Sequence, residues 1–263
     1  MVLSSDVEPF RFSHFSIQHH RSAMPITTDS VLLGAWAFTG NDTAPETVLD
    51  IGTGCGVLAL MMAQRFPHAR IDAIEIDGPS AEEARENVQT SPWPDRISVI
   101  HADFKTFAFS RAYSLIVCNP PYFQQALESP HERRNRARHG STSGLTYQQL
   151  VNGVSRILRN DGTLALILPA ATKAAFLKGA MQNRLPLYPS RITYVVTSKK
   201  AAAPSLVLME LTKKETTPQV ETLYLYDESG VDYHPQYRDL VRDFYLWQAI
   251  HPDASLTKGS ERR

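Results

Sequence analysis

The chain has 263 residues, of which 43% are hydrophobic and 21% are charged, and its 27 Lys and Arg residues equal its 27 Asp and Glu residues in number. This is enough chain for one large domain with a well-buried core, and the neutral balance excludes a chain-wide basic field for nucleic acid. No apolar run approaches the roughly 20 residues of a membrane-spanning helix, and residues 1–9 lack the features of a signal peptide, so we expect a cytoplasmic protein without membrane contact.

Apolar segments of strand length alternate with helical segments through most of the chain. The first 45 residues are aromatic and rich in His, and they end in a helix-like segment at 30–38. The strands predicted after them are 48–51, 71–76, 97–100, 115–118, 163–168, 192–196 and 206–211. The helices predicted between them are 57–66, 79–88, 145–158 and a segment that ends at Met181, and Asp161-Gly162 is predicted to turn into the fifth strand. Such alternation predicts parallel βαβ units with helices on both faces of a sheet.

Beyond residue 211 the sequence predicts one more strand-like segment, 222–226, and an amphipathic helix. Tyr237, Leu240, Val241 and Phe244 lie on one face of that helix. We see neither an internal repeat nor a linker. We therefore divide the chain into an N-terminal segment, 1–45, that packs on the core, one domain at 46–253, and a frayed tail at 254–263.

A glycine-rich turn follows the first predicted strand. It contains Asp50, Gly52, Gly54 and Gly56, and a helix begins after it. A dinucleotide-binding turn would have its third glycine where Val57 stands, and the absence of a Gly-Lys-Ser/Thr sequence excludes a nucleotide P-loop. The spacing, led by Asp50, resembles the first motif of S-adenosylmethionine methyltransferases, whose cofactor carries an amino group and a sulfonium cation. The alternative is a tight turn with a purely structural role.

Two further carboxylates stand at the ends of the next two strands. Glu75 is 25 residues beyond Asp50, close to where an acidic residue binds ribose hydroxyls in related folds, and Asp77 competes for this role. Asp103 could accept a hydrogen bond from the adenine amino group, and Phe104 could cover the adenine ring. We prefer Glu75 to Asp77 because the resemblance implies an apolar residue after the acid, here Ile76, that packs on the adenine.

Asn119-Pro120-Pro121-Tyr122 follows the fourth predicted strand. An exocyclic amine or an amide nitrogen is a poor nucleophile, because its lone pair is drawn into a π-system. The side-chain carbonyl of Asn119 and the rigidly held carbonyl of Pro120 could accept its two N–H bonds and orient the lone pair for in-line displacement. Tyr122 offers an aromatic face for a planar substrate. The alternative here is a proline-rich turn without a chemical role.

This tetrapeptide resembles the fourth motif of amino methyltransferases that act on adenine N6, cytosine N4 or protein glutamine. The substrate class must therefore be inferred from the rest of the chain. Only 47 residues precede Val48, too few for the helical domain of the glutamine-methylating release-factor enzymes. The chain also has no room for the large recognition domain that DNA enzymes usually carry.

Over nearly its whole length the chain is similar to the bacterial tRNA1(Val) adenine-N6 methyltransferase family. Three flanking segments are more specific than the shared motifs: residues 24–36, where the resemblance implies that Thr28 and Asp29 border the cofactor pocket, the arginine run at 133–138, and residues 243–246. The resemblance implies an α/β Rossmann-like class I methyltransferase fold with a mostly parallel seven-stranded sheet. It also implies S-adenosylmethionine as cofactor and the adenine beside the tRNA anticodon, adenine 37, as substrate.

The arginine run, Arg133, Arg134, Arg136 and Arg138 with a single Glu132, is either a solvated loop or a contact for phosphates of the anticodon loop, and we favour RNA contact. Two other functions stay open: an N-methyltransferase acting on rRNA or on a protein glutamine amide, and a binding module that has lost its chemistry. The two cysteines, Cys55 and Cys118, have neither disulfide nor metal-ligand spacing. We expect a monomer without a metal.

Overall fold

The structure, a computed structural model, describes residues 8–22, 26–39, 43–120 and 144–246. A short antiparallel hairpin of β1 and β2 comes first, followed by eight strands that form one sheet within these ranges. The strands are β1 Phe10–Arg11, β2 Ser16–Ile17, β3 Thr47–Ile51, β4 Arg70–Glu75, β5 Ile97–His101, β6 Tyr113–Cys118, β7 Leu158–Pro169, β8 Tyr188–Val196, β9 Leu206–Thr212 and β10 Gln219–Tyr224. The helices are α1 Thr28–Trp36, α2 Val57–Arg65, α3 Gly78–Thr90, α4 Tyr147–Ile157, α5 Lys173–Met181 and α6 Pro235–Leu240.

The large sheet has the strand order β10-β8-β9-β7-β6-β3-β4-β5. Its neighbours are parallel except around β9, which is antiparallel to both β7 and β8. The predicted mostly parallel sheet is confirmed, but seven strands is wrong for the described residues. The strand-like segment of the tail forms β10, which pairs with the edge strand β8 from Gln219 opposite Arg191 to Tyr224 opposite Val196.

The two faces of the sheet carry separate hydrophobic clusters, as alternation of side chains along each strand requires. Val48, Leu115 and Val117 point toward one cluster with α1 and α2, whereas Leu49 and Ile116 point toward the other with α4 and α5. Helices therefore cover both faces, as predicted. Among the described residues no helix is long and apolar enough to cross a membrane.

The turn predicted at Asp161-Gly162 is wrong, because these residues lie inside one long strand, β7. Tyr113 pairs with Leu158, and two residues further along β6 Leu115 pairs with Thr163. The residues between the two pairs on β7 are accommodated as an irregularity of the ladder.

The N-terminal residues are more ordered than their irregular sequence suggested. Phe12, Phe15 and Ile17 are buried in the same cluster as α1 and α2. The backbone N–H of Ser13 donates to the carbonyl of Phe244 at 2.8 Å, so the hairpin lies against the far end of the chain. The predicted terminal helix is shorter than expected, since α6 ends at Leu240, although Tyr237, Val241 and Phe244 are all buried.

Seven of the eight strands, all except β9, run in the same direction and end at a common edge, the carboxyl edge, which is the usual position of function in such sheets. Gly52 follows β3, Glu75 ends β4, and Asp103 stands two residues beyond β5. Asn119 follows β6 directly. The fold therefore brings the polar motifs of four separate stretches of sequence to one side of the molecule.

Candidate functional site

The glycine-rich turn is a tight backbone loop between β3 and α2. Gly52, Gly54 and Gly56 have φ values of 71°, 56° and 93°, a region that other residues rarely adopt. The N–H groups of Gly52 and Thr53 donate to the carbonyl of Ile74 at 2.9 and 3.2 Å. A side chain built at Gly52 would meet no atom of residues 8–22, 26–39, 43–120 or 144–246 within 4 Å, so this backbone is open on the side away from them. A ligand can lie directly against it.

Asp50 is fully buried below this loop and holds it to the start of α2. Its Oδ2 accepts hydrogen bonds from Thr53 Oγ1 at 2.5 Å and from the backbone N–H of Ala59 at 3.1 Å. Its Oδ1 is buried without a hydrogen-bond partner among the described residues. Burial raises the pKa of this carboxyl from 3.8 to about 7, against the opposing effect of the two hydrogen bonds. Asp50 is thus a structural acceptor with one oxygen still open.

Glu75 links the glycine-rich loop to the loop after β4. Its Oε2 accepts from the N–H of Gly54 at 2.9 Å, and its Oε1 accepts from the N–H groups of Ile76 and Asp77 at 2.9 Å each. The side chain of Ile76 is 55% exposed beside it. An acidic group and an exposed apolar surface therefore adjoin the open backbone of the glycine-rich loop, an arrangement that suits a ribose and a flat ring.

Asp77, the competing carboxylate, is used by the helix that follows it. It caps α3, accepting from the N–H and the hydroxyl of Ser80 at 2.9 and 2.7 Å. These bonds lower the pKa of the Asp77 carboxyl. Glu75 binds the glycine-rich loop itself, whereas Asp77 binds the first turn of α3, and the choice of Glu75 as the ligand-binding acid stays a prediction.

Asp103 and Phe104 lie at the same edge after β5. Asp103 Oδ1 accepts from the N–H of Lys105 at 2.9 Å, and Lys105 Nζ lies 3.4 Å from its Oδ2. Phe104 is only 8% exposed, because its ring packs beside Phe109 and so close to Gly153 of α4 that a methyl group there would overlap it. Phe104 is therefore mainly a core residue with little exposed ring surface. That its ring packs on an adenine stays a prediction.

Asn119, directly after β6, has an amide of which only the nitrogen forms a hydrogen bond among the described residues. Its Nδ2 donates to Ser30 Oγ on α1 at 2.9 Å, while its Oδ1 is buried without a partner among the described residues. A buried acceptor without a donor is unusual, because it has lost its bonds to water without replacement. The following residue, Pro120, is buried. The end of β6 thus presents an acceptor that a ligand N–H could satisfy.

Other predicted residues are not brought into this set. Thr28 is exposed in the first turn of α1. Tyr122, the arginine run at 133–138 and the predicted frayed tail lie outside the described residues.

The sequence analysis did not predict a set of hydrogen bonds between two side chains of α3 and the backbone of residues 18–22, which we call the clamp. Glu83, which is fully buried, accepts from the backbone N–H groups of His20, Arg21 and Ser22 at 2.9 Å each. Asn87, one turn later, exchanges 2.8 Å hydrogen bonds with the backbone of Gln18. A signal was present, because two polar residues spaced by four fall on the buried face of a helix and therefore need partners.

This clamp places Ser22 beside the glycine-rich loop. Ser22 Oγ lies 3.9 Å from the position of a side-chain carbon built at Gly54, and it is buried without a hydrogen-bond partner among the described residues. Open polar atoms of Ser22, Asp50 and Asn119 therefore stand near the same edge. Together with exposed Ile76, they fit a ligand with a polar, amine-bearing end and a flat apolar end.

Comparison with known proteins agrees with this geometry. Residues 37–185 match the model of the methyltransferase small domain family. A tRNA1(Val) (adenine(37)-N6)-methyltransferase of Bacteroides thetaiotaomicron is 39% identical over 238 residues, which cover 90% of this chain and 97% of that protein. The protein of the same name from Vibrio cholerae is 39% identical over 237 residues, covering 90% of this chain and 95% of the relative.

A solved structure supports the fold. The crystal structure of a predicted O-methyltransferase from Agrobacterium tumefaciens superposes with a TM-score of 0.61 at 19% identity, covering 82% of this chain and 96% of that one. At this identity the likeness concerns the fold, whereas family membership rests on the sequence matches. The chain belongs to the methyltransferase small domain family, within the group of tRNA1(Val) (adenine(37)-N6)-methyltransferases.

Proposed function

We propose that this protein transfers a methyl group from S-adenosylmethionine to N6 of adenine 37 in the anticodon loop of tRNA1(Val). The observation that carries the proposal is the amide of Asn119: its Nδ2 donates to Ser30, while its Oδ1 is buried and has no hydrogen-bond partner in the part of the chain that the structure describes. The relatives that match 90% of the chain bear the name of this activity, which supports the same substrate here.

The residues around the glycine-rich loop fit the proposed cofactor. Its amino group would meet the open oxygens of Asp50 and Ser22, Glu75 would accept from the ribose, and the adenine would lie on Ile76. When bound, S-adenosylmethionine supplies a methyl group activated by a sulfonium cation. The glycines let the cofactor approach the main chain closely, which excludes water from the path of the methyl group.

The acceptor amine is positioned by carbonyl oxygens. Asn119 Oδ1 and the carbonyl of Pro120 would accept the two N6 hydrogens of adenine, which turns the nitrogen lone pair toward the cofactor. Asparagine cannot act as a base at neutral pH, so its role is orientation. As the N–C bond forms, the bond between the methyl group and the cofactor sulfur would break and leave a thioether, and the surplus proton on nitrogen would then pass to water. Tyr122 is proposed to stack on the adenine.

Two arguments support an RNA substrate: the low free-energy cost of unstacking a loop base and the positive charge of the arginine run. Bases in an anticodon loop are already partly unstacked, so moving one of them into a pocket costs less free energy than extruding a base from a duplex. The arginines at 133–138 follow the catalytic tetrapeptide in sequence and are proposed to contact loop phosphates. A tRNA substrate also supports the cytoplasm as the place of action.

The test is methylation of defined RNAs followed by mass spectrometry of nucleosides. Unmodified tRNA1(Val) should gain one N6-methyladenosine, and a transcript with guanosine in place of adenine 37 should gain none. Ribosomal RNA and a glutamine-containing release-factor protein serve as the competing substrates. Methylation of either of these, with tRNA1(Val) unmodified, would replace the proposal by the corresponding alternative.

A further inference from the structure

Ser30 is the partner of the proposed catalytic amide, and the sequence gives no hint of it. It lies on α1, 89 residues before Asn119, and is 8% exposed. Its Oγ accepts from Asn119 Nδ2 at 2.9 Å. An asparagine amide can rotate by 180°, which exchanges its oxygen and nitrogen. The atom that faces the substrate therefore depends on what holds the other end.

We propose that Ser30 is a positioning residue, which fixes the Asn119 amide with its oxygen toward the substrate amine. This inference rests on the function proposed above. In the rotated state the NH2 group would face the N–H bonds of the amine, donor against donor, and could not orient the lone pair. Ser30 thus determines whether the catalytic loop presents an acceptor.

A hydroxyl can both donate and accept, so the direction of this bond needs a further cause. Thr27 Oγ1 accepts from the backbone N–H of Ser30 at 3.4 Å and lies 3.5 Å from Ser30 Oγ, a contact in which either hydroxyl could donate. In our proposal Ser30 is the donor. The lone pairs of Ser30 Oγ then face Asn119, where only the NH2 end of the amide can donate. We therefore propose one direction for the contacts of Thr27, Ser30 and Asn119, with Ser30 donating to Thr27 and accepting from Asn119.

The helix that carries Ser30 is held firmly at its other end. Arg65 Nη1 donates to the carbonyls of Gly34 and Ala37 at 2.8 and 2.6 Å, and Trp36 Nε1 donates to Thr193 Oγ1 at 2.9 Å. All residues of α1 from Ser30 to Trp36 are buried. The hydroxyl is therefore presented from a fixed element, as precise orientation requires.

The first experiment examines the contact without activity. In the NMR spectrum of the ¹⁵N-labelled protein, the Asn119 side-chain signal is the one lost in Asn119→Ala. We expect this signal to shift in Ser30→Ala and to stay in place in Ser155→Ala. Ser155 is a matched control, since it is equally buried and its Oγ accepts from Asn183 Nδ2 at 3.1 Å. An unmoved Asn119 signal in Ser30→Ala would overturn the inference.

The second experiment measures single-turnover methylation of tRNA1(Val). Ser30→Ala should slow methyl transfer about tenfold, with the Kd values of tRNA and cofactor changed less than about twofold, because one neutral hydrogen bond is lost. In an Asn119→Ala background, Ser30→Ala should add nothing, since it acts only through Asn119. Ser30→Cys keeps the volume and weakens the acceptor, so a slowed rate there separates the lost bond from lost packing.

The outcomes are separable. A shifted Asn119 signal with an unchanged transfer rate would overturn the positioning role, as would an equal loss in the Asn119→Ala background. A wild-type protein that methylates no tRNA while its Asn119 signal responds to Ser30→Ala would refute the proposed function, and with it the role of Ser30, but leave the contact itself established.

Discussion

The two halves of the carboxyl edge differ in how their polar groups are used. Around β3 and β4, Glu75 accepts from three backbone N–H groups, and Asp77 caps α3 through its Oδ2. At the end of β6, Asn119 uses only its donor and leaves its oxygen open. The first half is held by hydrogen bonds within the protein, while the second has an acceptor without a partner among the described residues, which we propose for the substrate. Substitutions in the first should affect binding and stability, and those in the second the chemical step.

Asn119→Ala should have the largest effect. Removing the open acceptor is expected to slow methyl transfer by about 100- to 1000-fold, because a preorganised polar contact in the transition state is lost. The Kd of S-adenosylmethionine, measured by calorimetry, should stay within about threefold of the wild type, a range that reflects loss of one peripheral contact. Equal activity in the variant would show that the loop does something else.

Glu75→Ala should mainly weaken cofactor binding. It deprives three backbone N–H groups of a charged acceptor and removes the proposed ribose contact, so the Kd of S-adenosylmethionine should rise about 100-fold. Glu82→Ala, on the exposed side of α3, is the matched control and should leave the Kd unchanged. An unaltered Kd in Glu75→Ala would remove Glu75 from the cofactor site.

Asp50 makes the stability of the first half depend on pH. The pKa of Asp50 is about 7 in the folded protein, against 3.8 in the unfolded chain. The stabilisation that Asp50 contributes to the folded state is therefore complete below pH 3.8 and is lost as the pH rises through about 7. The free energy of unfolding of the cofactor-free protein should therefore fall by about 2 kcal/mol between pH 5 and pH 7. Urea titrations at both values should show no such fall in Asp50→Asn, whereas Asp161→Asn, an exposed carboxyl, should behave as the wild type.

Asp77→Ala should have the smallest effect and sharpen the contrast with Glu75. The loss of a helix cap should lower the free energy of unfolding by about 1 kcal/mol. The Kd of S-adenosylmethionine should hardly change, since Asp77 Oδ2 is bound to Ser80 of α3 and the proposed ribose contact is made by Glu75. A large loss of cofactor affinity in Asp77→Ala would reverse the assignment of the two acids.

Local pattern predicted most of the fold. The strands and helices between residues 47 and 212 follow the apolar periodicity to within a few residues at most ends, because each buries a face that the sequence marks. The strand-like segment that became β10 was predicted from its residues. Its position at the edge of the sheet depends on pairing with β8, which the local sequence does not determine. The apparent turn at Asp161-Gly162 failed for a similar reason, since the ladder with β6 absorbs the extra residues.

For the candidate site, the order of polar residues at successive strand ends was predictable from topology alone. The partners that fix those residues were not. Ser30 meets Asn119 across 89 residues, and Glu83 meets the N-terminal segment across 61 to 63. Apolar periodicity predicts which face of a helix or strand is buried, but it does not predict which distant segment packs against that face.

The contact between Ser13 and Phe244 has a consequence for the order of assembly. These residues are separated by 231 positions, and the hydroxyl of Ser13 also bonds the carbonyl of Asp243. During synthesis the β1–β2 hairpin leaves the ribosome long before its partners exist, and closing so large a loop is entropically slow. Until residues 243–245 have been made, the hairpin lacks the ring of Tyr245 that stacks on Phe12 and the carbonyls that bind Ser13, so a nascent chain stalled before that point should expose part of this aromatic surface to chaperones.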